Sequence, residues 1–330
     1  MTIPAAIAAP VVVGARPPLL SVVVVSYQSR ELLARCLADL ARVRYPFEVL
    51  VIDNASLDGT VESVSRDYPE HRIIANPVNV GFARAVNQAI LLCRGEFTLL
   101  LNPDTSFDAT AIETLVDVLH NEPSIGAVAP LVEHEAGRRR VLDAGRQCTT
   151  WRLACHTFGL SRLSRRLGFL EGSYLLSGVH DDVRRDVEWA GGACLMVRSS
   201  LLTDLGGLSE RWFMYAEDLE LSLRITGRGY RIVHEPAARI VHRMAASSVG
   251  ADKRKAANVT WALAFADYHR SSIAKRRGPD LAWRSIFIIQ LVTRALNCRF
   301  QAIRHPADRR EWAAESRDFI ACAGAVVRRA

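Results

Sequence analysis

The sequence predicts an α/β fold: a doubly wound, mostly parallel sheet with helices on both faces and a C-terminal helical extension. Three observations predict it. The first ordered segment, Leu20-Ser-Val-Val-Val-Val-Ser26, is an unbroken β-branched run, as expected of a strand buried on both faces. Apolar residues then recur at helical spacing (Leu32, Leu33, Cys36, Leu37, Leu40) over 30–42. This strand–helix alternation repeats as far as residue 130, which is the pattern of crossover-connected parallel strands.

Phe47–Ile52 is the second apolar strand, followed by a short helix over 58–66 opened by Asp-Gly. His71–Ala75 is the third strand, and 81–93 a helix with Ala83, Val86, Ile90 and Leu91 on one face. Phe97–Leu101 is the fourth strand, with a helix near 108–119 and a strand near 125–130. Residues 133–186, rich in Arg, Gly and Ser, read as irregular. Order resumes at Val187, with a strand over 193–197 and a helix over 217–227. Residues 251–330 read as helical. The division expected is a loose tail over 1–18, a larger α/β domain over 19–250 and a basic helical extension over 251–330. The larger domain divides into halves over 19–130 and 131–250.

Charge follows the same division. Of the net +7, residues 251–330 supply +9, from 16 Lys/Arg against 7 Asp/Glu, so 1–250 carry −2. A basic segment behind a near-neutral domain points to an anionic surface. It holds no recognisable nucleic-acid module, so a lipid surface is favoured over nucleic acid; packing on the 19–250 domain or against a partner in a homo-oligomer is the competing account. The apolar stretch 281–300 is interrupted by Arg284, Arg294 and Arg299, which suits an interface better than a membrane span. Seven scattered cysteines form no C-x-x-C pair, so neither a zinc site nor a redox motif is expected, and a reducing cytosol is the simplest compartment. Met1–Val13 lacks a basic n-region and is broken by Pro4 and Pro10, unlike a signal peptide.

Ligands of such sheets bind beyond the carboxyl ends of the strands. Three strand ends carry polar residues: Ser26-Tyr27, Asp53-Asn54 and Asn102-Pro103-Asp104. Tyr27 can stack on a base and Asp53 can accept from a nucleobase imide N–H. Asp104 is a hard carboxylate suited to Mg²⁺ or Mn²⁺ beside a diphosphate. Any one of these is equally explained by turn initiation or helix capping; their convergence on one edge is the informative feature. No G-x-G-x-x-G follows the first strand, which counts against a nicotinamide or flavin site. In Asn79-Val-Gly81-Phe-Ala-Arg84, Gly81 permits close backbone approach and Arg84 can meet phosphate near a helix N-terminus, or simply be solvated. Glu217-Asp218 stands at a helix start behind an aromatic stretch. A carboxylate there can serve as general base toward a hydroxyl, or complement the helix dipole. His242 ends a short apolar strand, where a structural histidine is the commoner outcome.

Together VIDNASLDGT (51–60), NVGFARAVNQ (79–88), LLLNPD (99–104) and the run from Gly191 to Arg224 resemble family 2 glycosyltransferases of GT-A fold, in the bacterial rhamnosyltransferase-like branch. The resemblance spans Leu20 to Ser248 and implies that 19–250 is a GT-A catalytic domain, with 19–130 its nucleotide-binding half and 131–250 its acceptor half. It implies that Ser26, Tyr27, Asp53, Asn54, Gly81, Arg84 and Asn102 bind the nucleotide, and that Asp104 and His242 hold a divalent metal. Gly191, Gly192 and Glu217 would line the acceptor and sugar pocket, with Asp218 the catalytic base of an inverting displacement. It further implies a nucleotide-diphosphate sugar donor, dTDP-rhamnose first and UDP-sugars second. The acceptor would be a lipid-linked or surface glycan, met in the cytoplasm at the inner face of the membrane. The alternative is a non-catalytic nucleotide-sugar-binding assembly subunit. Two departures stand out: the family's D-x-D is N-P-D here, leaving one carboxylate, and the glycine often found after the histidine is missing from Arg243-Met-Ala-Ala-Ser247.

Overall fold

The computed structural model describes residues 18–134, 141–176, 178–180, 183–243, 251–274 and 280–329. Nearly all of the expected tail, and residues 244–247 behind His242, lie outside them. The chain forms two compact units: one of residues 1–145, 175–213 and 217–247, the other of 146–174, 214–216 and 248–330.

The first unit is built on strands β1 (Leu20–Ser26), β2 (Phe47–Asp53), β3 (Arg72–Ala75) and β4 (Phe97–Leu101), joined by helices α1 (Arg30–Leu40), α2 (Thr60–Asp67) and α3 (Phe82–Ile90). All are parallel, in the order β3-β2-β1-β4. The chain moves outward through β2 and β3, then returns to the far side of β1. That reversal opens a crevice beyond the carboxyl ends of β1 and β4, where ligands of such sheets bind.

Strand residues alternate between two cores. Val22 and Val24 of β1 pack with Leu33, Leu37 and Leu40 of α1 on one face. Val23 packs with Ala85, Val86 and Ala89 of α3 on the other. This is why the strands read as continuous apolar runs: both faces are covered.

Helix α4 (Ala109–Asn121) follows the short strand β5 (Thr105–Phe107) and covers the α1 face with Ile112, Leu115, Val116 and Leu119. Strands β6 (Ile125–His134), β7 (Val141–Gly145) and helix α5 (Thr150–Thr157) come next, then β8 (Tyr174–Leu176), β9 (Arg185–Val187) and β10 (Trp189–Ala190). Strand β11 (Cys194–Arg198) then leads into helix α6 (Ser199–Asp204) and, further on, α7 (Glu217–Gly227). Strand β11 enters the sheet antiparallel to both β4 and β6. An apolar run such as Ala193–Val197 reads the same in either direction, so its orientation is a structural finding.

Strand β12 (Arg231–His242) is far longer than the short strand expected before His242. Its register slips between Glu235 and Arg239, around Pro236. Proline is tolerated in a sheet at such a bulge, and the extra residues redirect the strand. Its second half pairs with β5, setting His242 opposite Thr105. Strands β10, β7 and β8 form a separate small sheet, and β7 and β8 lie in the stretch expected to be irregular.

The second unit contains α5 and three long helices, α8 (Ala251–Tyr268), α9 (Asp280–Arg304) and α10 (Arg309–Arg328). Its centre is aromatic: Trp283 stacks on His269 and meets Phe265 and Phe287 edge-on or tilted. The buried Trp283 indole donates to the Cys148 carbonyl at 2.9 Å, and Tyr268 donates to Gln147 at 2.6 Å. Among the described residues, no helix is long and apolar enough to cross a membrane. All seven cysteines are free, and burial pushes the thiol of Cys36 up to about 12, so it is inert as a nucleophile at neutral pH.

Candidate active site

The strand-end residues meet at one edge of the first unit. Ser26 and Asp53 are register partners at the ends of β1 and β2, and the Asn54 N–H donates to the Ser26 carbonyl at 2.8 Å. The Ser26 hydroxyl is buried against that of Ser29, 2.8 Å away, while Tyr27 is 42% exposed. The loops carrying them are tied together, the Gln28 N–H donating to the Ser56 hydroxyl at 2.8 Å. Both loops hold a residue in the left-handed region, Gln28 at φ 51° and Ala55 at φ 62°. Such strain persists where the surrounding structure over-determines it, commonly at binding sites.

Asp53 is 1% exposed. Its Oδ2 accepts from the Ser56 N–H at 2.8 Å, whereas its Oδ1 is buried without a hydrogen-bond partner. Burial raises its pKa; the bonds from Ser56 oppose that shift. An orphaned carboxylate oxygen is costly, so it marks a place where a ligand N–H would be welcome. Asn54 has a different occupation. Its amide donates to the Gly81 carbonyl at 3.2 Å and accepts from Asn76 at 2.9 Å, inside a network that continues to Gln88.

Gly81 must be glycine. Its φ is +87°, and a Cβ there would lie 2.4 Å from the Phe213 carbonyl, which accepts from the Phe82 N–H at 3.0 Å. The close approach is therefore made by the protein's own backbone. Arg84, one turn into α3, forms an exposed ion pair with Glu210 at 3.1 Å.

Beyond β4, Asp104 and His242 come together. His242 Nε2 lies 3.0 Å from Asp104 Oδ1 and 3.4 Å from the Asn102 amide nitrogen, and the Arg243 N–H donates to the Asp104 carbonyl at 3.0 Å. The bulge in β12 makes this meeting possible across 138 residues of sequence. A spacing of 3.0 Å also suits two neighbouring ligands of an octahedral ion about 2.1 Å from each. Among the described residues, no cluster of three or more His, Cys, Asp and Glu side chains could cage a metal unaided. The pair fits an ion of the Mg²⁺ or Mn²⁺ kind, which takes one or two protein ligands and completes its shell with phosphate oxygens and water.

Asp218 opens α7. Its Oδ2 accepts from the Gly192 N–H at 3.0 Å and its Oδ1 from the Leu219 N–H at 2.8 Å. Burial raises its pKa, those two N–H groups pull the other way, and the negative charge of Asp143 adds to the rise. Glu217 beside it is 5% exposed, and Tyr215 and Ala216 just before it are both left-handed. Asp143, on β7, is a residue the sequence did not single out. Its carbonyl accepts from the Gly191 N–H at 2.8 Å, and a side chain on Gly191 would press on its Cβ at 3.3 Å. Consecutive glycines thus hold Asp143 and Asp218. Nothing in the spacing of Val141-Leu-Asp-Ala-Gly145 could have announced this.

Short contacts link these pieces. Asn102 N–H donates to the Ala193 carbonyl at 2.9 Å, next to the Gly192 that holds Asp218. The Phe82 ring lies 3.7 Å from where a Gly192 Cβ would stand, and Phe82 follows the Gly81 held by Asn54. Asp53, the Asp104–His242 pair and Asp218 therefore border one edge of the sheet.

The sequence profile of glycosyl transferase family 2 matches residues 21–176. Over 243 residues the chain is 32% identical to the N-acetylglucosaminyl-diphospho-decaprenol L-rhamnosyltransferase of Mycobacterium tuberculosis, an alignment covering 70% of this chain and 78% of that one. The chain belongs to glycosyltransferase family 2. It is a glycosyltransferase, of the rhamnosyltransferase-like branch. It is also 29% identical over 294 residues to the O-antigen biosynthesis protein RfbC of Myxococcus xanthus, though it spans 21% of that longer protein. Its GT-A architecture is shared with the Pyrobaculum calidifontis mannosyltransferase PcManGT, solved with GDP-Man and Mn²⁺, at a TM-score of 0.59 and 18% identity over 94% of this chain and 88% of that one.

Proposed function

We propose that this glycosyltransferase moves rhamnose from dTDP-rhamnose, with inversion and with a divalent metal, onto a hydroxyl of a lipid-linked envelope glycan at the inner face of the membrane. The observation that carries this is the gathering of Asp53, the Asp104–His242 pair and Asp218 around one sheet edge. Similarity to a decaprenol-linked L-rhamnosyltransferase supports the sugar and the lipid-linked acceptor.

The exposed Tyr27 ring stacks on the base, and the unpartnered Asp53 oxygen accepts the imide N–H of thymine. Uracil carries the same N–H, which is why a UDP-sugar remains the second choice. Asp104 and His242 hold the metal, which when bound neutralises the diphosphate leaving group. Asp218 takes the proton of the acceptor hydroxyl. The new carbon–oxygen bond forms on the face opposite the departing phosphate oxygen, so the anomeric configuration inverts. A single step of this kind needs no covalent sugar–enzyme intermediate, and all catalytic groups come from the first unit.

A thermal-shift titration tests donor recognition. With Mn²⁺ present, dTDP-rhamnose should raise the melting temperature in proportion to the logarithm of its concentration above Kd. Chelation of the metal should abolish most of that shift. No shift with any nucleotide sugar, with or without metal, would contradict the proposal.

A further inference from the structure

The segment expected to be irregular carries a surface the transfer chemistry does not use. Trp151, Phe158, Leu160, Leu163, Leu167 and Phe169 are all exposed, between 36% and 66%. Six large apolar side chains exposed within 19 residues exceed the scattered singles normal on a soluble surface. Between them stand the exposed Arg162, Arg165 and Arg166, and residues 150–170 contain no Asp or Glu. The backbone here is well fixed, not loose: the Thr149 hydroxyl caps α5, and the Trp151 indole donates to the Phe169 carbonyl at 2.8 Å. The fold holds these side chains out at the cost of leaving them in water.

The same unit presents a second face of this kind. On α9, Ile289, Leu296, Phe300 and Ile303 are exposed at i, i+7, i+11 and i+14, a single helical stripe. Arg304 lies over the Phe300 ring, 5.5 Å from its centroid. Charge separates the units sharply. The second holds 21 Lys/Arg against 8 Asp/Glu, or +13, which leaves −6 for the first.

We propose that the second unit docks on an anionic lipid bilayer, with the 151–169 segment as its principal contact, Trp151, Phe158 and Phe169 entering the acyl boundary and Arg162, Arg165 and Arg166 meeting headgroup phosphates. Interleaved arginines and large apolar side chains match both layers of a bilayer surface, and a protein partner would not require one sign of charge throughout. The proposal goes beyond sugar transfer and supplies what a lipid-linked acceptor demands of an enzyme lacking a spanning helix among its described residues.

The test is sedimentation of the full chain with vesicles of phosphatidylcholine and phosphatidylglycerol, against phosphatidylcholine alone. The chain should pellet with the anionic vesicles and remain in solution with the neutral ones. R162Q/R166Q should weaken partition about fivefold for each arginine removed. F158S/F169S should weaken it at least about tenfold. Both variants should keep the wild-type melting temperature and the wild-type thermal shift with dTDP-rhamnose and Mn²⁺. Failure to pellet, or equal pelleting with both vesicles, would overturn the proposal. So would a dimer in light scattering that F158S/F169S dissociates, since a second copy would then cover this face. Donor-induced stabilisation without vesicle binding would sink this inference and leave the transfer chemistry standing.

Discussion

Asp218→Asn should lower the rate of sugar transfer by about a hundredfold to ten-thousandfold, the range a positioned general base supplies. Donor affinity should stay within a few-fold of wild type, because Asp218 faces the acceptor hydroxyl in the proposed mechanism. Asparagine has approximately the same volume but keeps an oxygen for only one of the Gly192 and Leu219 N–H groups, so the melting temperature of the variant should be compared with that of wild type. The pH profile adds a second readout. Only the ionised carboxylate can take a proton, so activity falls as pH drops through the pKa of Asp218. Burial and the Asp143 charge raise that pKa, so the acid limb of kcat/KM should lie above the ordinary aspartate range. Asp143→Asn should move the limb to lower pH. The linkage to stability runs the other way. A raised folded pKa means the native state binds this proton more tightly, so the associated stability is lost as pH rises through that pKa. Kinetics across pH on wild type and Asp143→Asn would check the limb and melting temperatures across pH the linkage, and loss of donor binding in Asp218→Asn would argue against a base.

Asp104→Ala should have the opposite signature. Removing an outer-sphere partner of a metal typically costs about 10–100-fold in affinity, and removing a direct carboxylate ligand should cost at least that. Donor affinity measured with Mn²⁺ should fall accordingly and become equal to the value measured in chelator. His242→Ala should shift affinity in the same direction, since its Nε2 stands 3.0 Å from the Asp104 carboxylate. Donor affinity in Asp104→Ala that still rose with added Mn²⁺ would show that these two side chains do not hold the ion. The pair of results separates leaving-group stabilisation from proton removal, two jobs that the proposed mechanism gives to Asp104, between β4 and β5, and to Asp218, in α7.

Much of this was legible in the sequence because the relevant signals are local. The Val-rich run of β1 and the helical spacing that follows it fix the alternating pattern. Glu217 marks the start of α7, where acids complement the helix dipole as well as chemistry. Asn102-Pro-Asp104 lies directly behind an unmistakable strand. What escaped was set by long-range pairing. Arg84 is solvated in any local view, and its partner Glu210 is 126 residues away. Asn54 looks like a free amide until Gly81 and Asn76 are folded against it. The full length of β12 is hidden by Pro236, which breaks a strand pattern but sits comfortably in a bulge. Asp143 lies on a five-residue strand whose order depends on pairing with β10, so its approach to Asp218 left no periodic trace.

In the proposed mechanism these side chains act together on one nucleotide sugar and one alcohol. Its most direct test is to incubate the purified chain with Mn²⁺, labelled dTDP-rhamnose (or, in parallel, labelled UDP-sugars) and a polyprenyl diphosphate-linked N-acetylglucosamine. Label should enter the lipid fraction from one of these donors, with the anomeric configuration inverted. Label that stays on the nucleotide with every donor, or that arrives with its configuration retained, would contradict it.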